Sequence, residues 1–244
     1  MKAVLILICL LMMGVPAFSG LIFTDDFESY NLGEDIAISA NWDNFDSSSC
    51  GVLTVTNGFA GKGVWTDQRH DPDPFNISVY ECLVGGQMED CAASVQFRST
   101  STSPTKVILI LRYSASPPNF SEYYAELDLP SGVGQANLIM VYVDQGGSYT
   151  LSQKSISGFD PSSIHTLYFE VTGTNSVNMK VDLDAVNQFN IINTTYIALS
   201  GLPMLAMANV NPNDVSFVCD NYNLSNLNVD IQPKSVGILR ALFH

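Results

Sequence analysis

Short segments rich in β-branched and aromatic residues recur along this chain at intervals of about ten residues, each broken by Gly, Pro, Asn or Ser. A helix buries a stripe with a 3.6-residue period, whereas a strand buries alternate side chains, so segments this short and this closely punctuated build a core only by pairing as strands. The clearest lie at residues 21–27, 51–56, 78–83, 92–98, 106–113, 122–129, 137–143, 165–172, 177–183 and 215–224, with a further small-residue strand at 204–209. No segment has a helical period, and no internal repeat argues for a propeller or solenoid. The pattern predicts an all-β, two-sheet antiparallel sandwich forming one domain over residues 20–228.

Two strands carry more than their existence. Residues 106–113 (KVILILRY) are apolar on both faces, which places the strand at the centre of a sheet. Residues 124–129 (YAELDL) alternate, so Tyr124, Glu126 and Asp128 share a wet face while their neighbours meet the core. An exposed aromatic face stacks on a sugar ring and flanking carboxylates orient its hydroxyls, which makes Tyr124, Glu126 and Asp128 the candidate ligand-binding set. Trp42, Trp65, Tyr113 and Tyr149 are further aromatic candidates.

The ends read differently from the middle. Lys2, an apolar run over residues 3–13, then Gly14, Pro16 and Ala17-Phe18-Ser19 fit a secretory signal peptide over residues 1–19, and the run is too short to span a bilayer. A secreted or extracellular chain is expected, at the cell surface or in a periplasm, with no transmembrane segment. Residues 229–244 break the strand rhythm and read as a C-terminal tail. With 10 basic against 24 acidic residues, a formal net charge of −14, the chain repels phosphate backbones, so no nucleic acid partner is expected. Export leaves four cysteines and favours two disulfides. Gly85-Gly86 between Cys82 and Cys91 is a hairpin signal that pairs those two, leaving Cys50 for Cys219. Asn76, Asn119, Asn193 and Asn223 head glycosylation sequons that only a eukaryotic pathway uses.

The opening FTDDFESY (residues 23–30), the closing FVCDNYNL (217–224), and HTLYFEVTG (165–173) followed by VNMKVDLD (177–184) together resemble concanavalin A-like lectin/glucanase domains of the LamG-like jelly-roll type. Ala185 stands where that pattern has a turn glycine, so a differently made hairpin is expected. The resemblance implies a structural calcium between the chain ends, with Asp25, Asp26 and Asp220 as its carboxylates; calcium accepts such mixed oxygen sets. Laminarinase-type hydrolases of this superfamily carry Glu-x-Asp-x-(x)-Glu, whereas here Glu126-Leu127-Asp128 is followed by Pro130 and Ser131, so the second glutamate is missing. The dense polar loop at residues 67–73 lacks calcium-loop spacing. The expectation is a non-catalytic extracellular domain that binds a glycan or polysaccharide. The alternatives are a glycoside hydrolase or polysaccharide lyase with a different catalytic set, and a structural surface protein without a small ligand.

Overall fold

The computed structural model describes residues 20–45, 51–59, 61–67, 77–115, 120–209, 211 and 214–227. The signal segment, the tail and Cys50 lie outside these residues, as do the sequons at Asn76 and Asn119. Among the described residues, strands β1 to β15, numbered in chain order, form two antiparallel sheets, and the only helical element is a single 3-10 turn at Ile36–Ile38.

The first sheet runs β13 (Val186–Asn193), β12 (Val177–Leu183), β11 (His165–Thr172), β6 (Cys91–Ser99), β15 (Phe217–Asn226), β4 (Lys62–Asp67), β3 (Val52–Asn57). β1 (Gly20–Asp25) shares one edge of β15 with β4. The second sheet runs β10 (Gly147–Phe159), β9 (Gly134–Asp144), β8 (Ser121–Leu129), β7 (Thr105–Ser114), β14 (Leu202–Asn209), β5 (Ile77–Cys82), β2 (Trp42–Asn44). The chain crosses between the sheets repeatedly while keeping β3–β4 and β11–β13 together in the first and β7–β10 together in the second, a two-sheet jelly-roll sandwich.

The main core lies between the sheets and takes alternate residues from each strand, among them Phe97, Leu109, Tyr123, Phe169 and Phe217. β7 is central, as its two apolar faces require: Leu109 and Leu111 point into that core, while Ile108 and Ile110 join Tyr113, Met204 and Ala206 in a second apolar cluster on the outer face.

Buried polar groups fix the sandwich at two points. Asp25, at the end of β1, accepts hydrogen bonds from Phe27 N (2.8 Å), Tyr30 Oη (2.9 Å) and Trp42 Nε1 (2.8 Å), so one carboxylate ties the first sheet to the start of β2 in the second. Arg112 takes a left-handed backbone (φ 56°), within an irregular stretch of the β7–β8 pairing, and its side chain is fully buried. Its guanidinium donates to the carbonyls of Glu89, Ala198 (2.8 Å) and Gly173 (2.8 Å) and pairs with Asp90 at 3.2 Å. A buried charge persists only when satisfied in this way.

Two expectations are corrected. Cys82 and Cys91 are free thiols, as is Cys219, because Gly85-Gly86 turns the chain between sheets and the two strands it joins are not neighbours. Burial pushes the Cys82 and Cys91 thiols up to about 12 and Cys219 well above its usual range, so thiolate, the form that oxidises, is scarce. The β12–β13 hairpin keeps the ordinary two-residue form despite lacking glycine: Asp184 (φ 52°) and Ala185 (φ 62°) both adopt the left-handed conformation that such turns need. His165 braces this turn, its Nδ1 2.6 Å from Asp184 Oδ2, its Nε2 2.8 Å from the Asp160 carbonyl, and its ring stacked on Phe159. Asn193 uses its side chain to hold Thr195 N, Tyr196 N and Tyr196 O, which occupies the amide a glycan would need.

Candidate functional site

Glu122, Tyr124, Glu126 and Asp128 alternate along β8 with the buried Tyr123, Ala125, Leu127 and Leu129, so they form one row on the outer face of the second sheet. Strand register sets Lys106 of β7 and Asn137 of β9 on either side of Asp128. Lys106 Nζ donates to Glu126 Oε1 at 2.6 Å and lies 3.0 Å from Asp128 Oδ1. Burial raises the Glu126 carboxyl above its ordinary range, the Lys106 ammonium works against that rise, and the neighbouring Asp128 adds to it. Among the described residues no such cation pairs with Glu122, and burial pushes it up to about 7.

Three adjoining depressions follow this row. The first, about 300 Å³, is walled by Phe45, Tyr113, Phe120 and Tyr124 over Ile108 and Ile110. The second, about 550 Å³, shares Ile77 with the first and is bordered by Lys106, Asp128, Gln135 and Asn137. The third, about 400 Å³, shares Asp128 and Asn137 and reaches Gln153 and Ser155 of β10. The result is a groove that is aromatic and apolar at one end and lined with amides, hydroxyls and an ion-paired carboxylate pair at the other.

The sequence therefore placed Tyr124, Glu126 and Asp128 on one face, and the structure brings them together there. Lys106 was missed as their partner, since only the strand register reveals it. Of the other aromatics, Trp42 is core, Tyr113 is buried in the outer apolar cluster, Trp65 is half-buried on β4, and Tyr149 belongs to the opposite face of the sheet.

The three aspartates expected around calcium do not share a centre. Asp25 turns inward and is filled by its three donors. Asp26 and Asp220 are close enough for the charge of Asp26 to contribute to the raised Asp220 carboxyl, after the larger effect of burial. Nearby in the chain, the backbone carbonyls of Glu28 and Tyr30 accept from Lys62 Nζ at 2.8 and 2.6 Å. Calcium needs six or more oxygens, and with Asp25 committed to its three donors the expected set of three aspartates is not assembled around one point. Among the described residues no group of three or more His, Cys, Asp or Glu is arranged to hold a metal ion, and no helix is long and apolar enough to cross a membrane.

No protein-family model and no curated protein matches the chain. Solved structures do. A β-glucanase of Bacillus licheniformis is 18% identical with a TM-score of 0.54, the match covering 85% of this chain and 99% of that one. A galectin-like-fold protein from Bacillus subtilis is 10% identical (TM-score 0.53; 85% and 96% covered). A family 16 endo-glucanase from Bacteroides ovatus is 9% identical (TM-score 0.51; 84% and 98% covered). At these identities the likeness speaks for the fold, and the fold is the concanavalin-like jelly roll.

Proposed function

We propose that this chain is an extracellular carbohydrate-binding domain that holds a glycan in the outer groove of its second sheet without cleaving it. The observation that carries this reading is the continuous groove along β8, in which an aromatic end supplies stacking surface and a polar end supplies fixed acceptors and donors. A linear polymer needs such an extended, mixed surface, whereas a compact metabolite does not. Two of the similar structures are named as glucanases, which makes a glycan the first ligand class to test.

Binding is favoured over hydrolysis by the placement of the carboxylates. Glycosidases set two carboxyls across the scissile bond, about 5–5.5 Å apart when retaining and about 6.5–9.5 Å when inverting. Glu126 and Asp128 stand side by side on one strand and share Lys106, which leaves neither as a free nucleophile. Glu122, whose raised pKa suits a proton donor, is four residues from Glu126, but Tyr124 stands between them where the hydrolase pattern has an aspartate. The test is a glycan array on the purified chain, with product analysis of every glycan retained. Retention without shortening supports the proposal; shortened products overturn the non-catalytic part, and an empty array overturns the whole.

A further inference from the structure

At the end where β7, β8, β9 and β10 stop, the tyrosines of the sheet's inner face border a further cavity of about 650 Å³, which shares Phe120 with the aromatic end of the outer groove. Its origin is in the register. Ser114, Ser121, Asp144 and Gly147 pair in sequence across the four strands and close the sheet as one row. Two rows further in, Tyr123, Tyr142 and Tyr149 pair in the same way. The cavity is bordered by Tyr142 and Tyr149, by Phe120, and by Asp144, Ser121 and Ser200.

The tyrosines are a fixed platform rather than loose surface rings. Tyr196 stacks on Tyr149 with centroids 4.4 Å apart and on Tyr142 at 5.3 Å, and Tyr123 lies against Tyr142 at 5.3 Å. Tyr123 Oη donates to the Tyr196 carbonyl at 2.5 Å and accepts from Ala198 N at 3.1 Å, which holds the segment that walls the cavity. Asp144 is oriented by Gly146 N at 2.7 Å and has a Tyr142 hydroxyl beside it. Packed rings of this kind offer an apolar face at little entropic cost, and a carboxylate beside hydroxyls orients a polyol.

We propose that this cavity is a second carbohydrate subsite, meeting the outer groove at Phe120, that takes a neutral sugar ring against Tyr142 and Tyr149 with its hydroxyls on Asp144. This rests on the glycan-binding reading above and deepens it. Neutrality follows from charge: among the described residues Asp144 is the only charged one lining the cavity, and the chain is strongly acidic. Sulfated or uronate sugars would meet repulsion with no cation to offset it.

Two variants probe the site in different ways. Tyr149→Ala removes the stacking ring. Gly146→Ala adds a methyl 2.7 Å from Tyr149 Oη and 3.0 Å from Asp144 Oδ1, displacing both groups while keeping their chemistry. The experiment runs wild type, both variants and Tyr124→Ala on one array of neutral, sulfated and uronate glycans, with thermal unfolding of each as a control on folding. The expected result is retention of neutral glycans that falls about tenfold in Tyr149→Ala and also falls in Gly146→Ala, with folding intact. Loss in Tyr124→Ala alone overturns the second subsite and leaves the outer groove standing. Retention of anionic glycans only overturns the assigned chemistry, and an array empty for the wild type overturns both readings together.

Discussion

The two faces of β8 solve the problem of polar groups in opposite ways. On the outer face, polar side chains are placed by strand alternation and held by charge: Glu126 and Asp128 share Lys106 over a bed of Ile108 and Ile110. On the inner face, at the sheet's end, the polar groups are placed by packing: Tyr142, Tyr149 and Tyr196 stack, and hydrogen bonds from Tyr123 and Arg112 fix the surrounding backbone. An ion-paired surface yields to salt and to pH, whereas a packed one yields to loss of volume or of a buried donor. The two regions should therefore fail under different perturbations.

The largest difference is expected at Arg112. Arg112→Met takes the guanidinium donor from the carbonyls of Glu89, Ala198 and Gly173 and leaves Asp90 with the Gly173 N–H but without its ion-pair partner, and should cost about 3–5 kcal/mol in urea unfolding. Because Ala198 belongs to the segment walling the tyrosine cavity, binding there should be lost ahead of binding in the outer groove. A loss below about 1 kcal/mol would show that water replaces the guanidinium at no cost.

Lys62 sharpens the account of the chain ends. Lys62→Met removes two charge-assisted hydrogen bonds to backbone carbonyls and should cost about 1–2 kcal/mol, while calcium or a chelator should leave the wild-type melting temperature in place. A clear rise in melting temperature with calcium would contradict this reading of that corner.

The outer row should answer to pH. Burial raises Glu122 to about 7 in the folded state against 4.5 in the free side chain, so the folded chain holds a proton that the unfolded chain releases. The stability this confers is fully present below pH 4.5 and fades as pH rises through 7. Comparing urea unfolding at acid and mildly alkaline pH, the wild type should lose on the order of 1 kcal/mol more than Glu122→Gln. Parallel pH profiles in the two proteins would remove Glu122 from the argument.

The smallest effect is a gain. Ala185 holds a left-handed φ of 62° that costs an L-residue about 1 kcal/mol and glycine nothing, so Ala185→Gly should raise stability by up to that amount in the same assay. An unchanged or lowered stability would mean that the freedom glycine gains in the unfolded chain outweighs the relieved strain.

The sequence disclosed those parts of the fold in which local pattern and burial agree. β11 and β12 match their expected bounds, and β7, β8 and β14 lie within a few residues of theirs. β10 and β13 were not legible because both are sheet edges: Gly147–Phe159 is rich in serine and largely exposed, and without a buried face no alternation appears. The outer row on β8 was readable from parity, which is a property of one strand. Lys106 as partner of Glu126 and Asp128, the inward turn of Arg112 and the separation of Cys82 from Cys91 depend on which strands become neighbours, and no local pattern encodes that.

The most direct test of carbohydrate recognition on both faces of β8 is the binding isotherm of a retained neutral glycan, measured for wild type, Tyr124→Ala, Tyr149→Ala and the double variant. The account predicts that each single change weakens binding and that the two together abolish it in a protein that still unfolds cooperatively. A double variant that binds as the wild type does would contradict it.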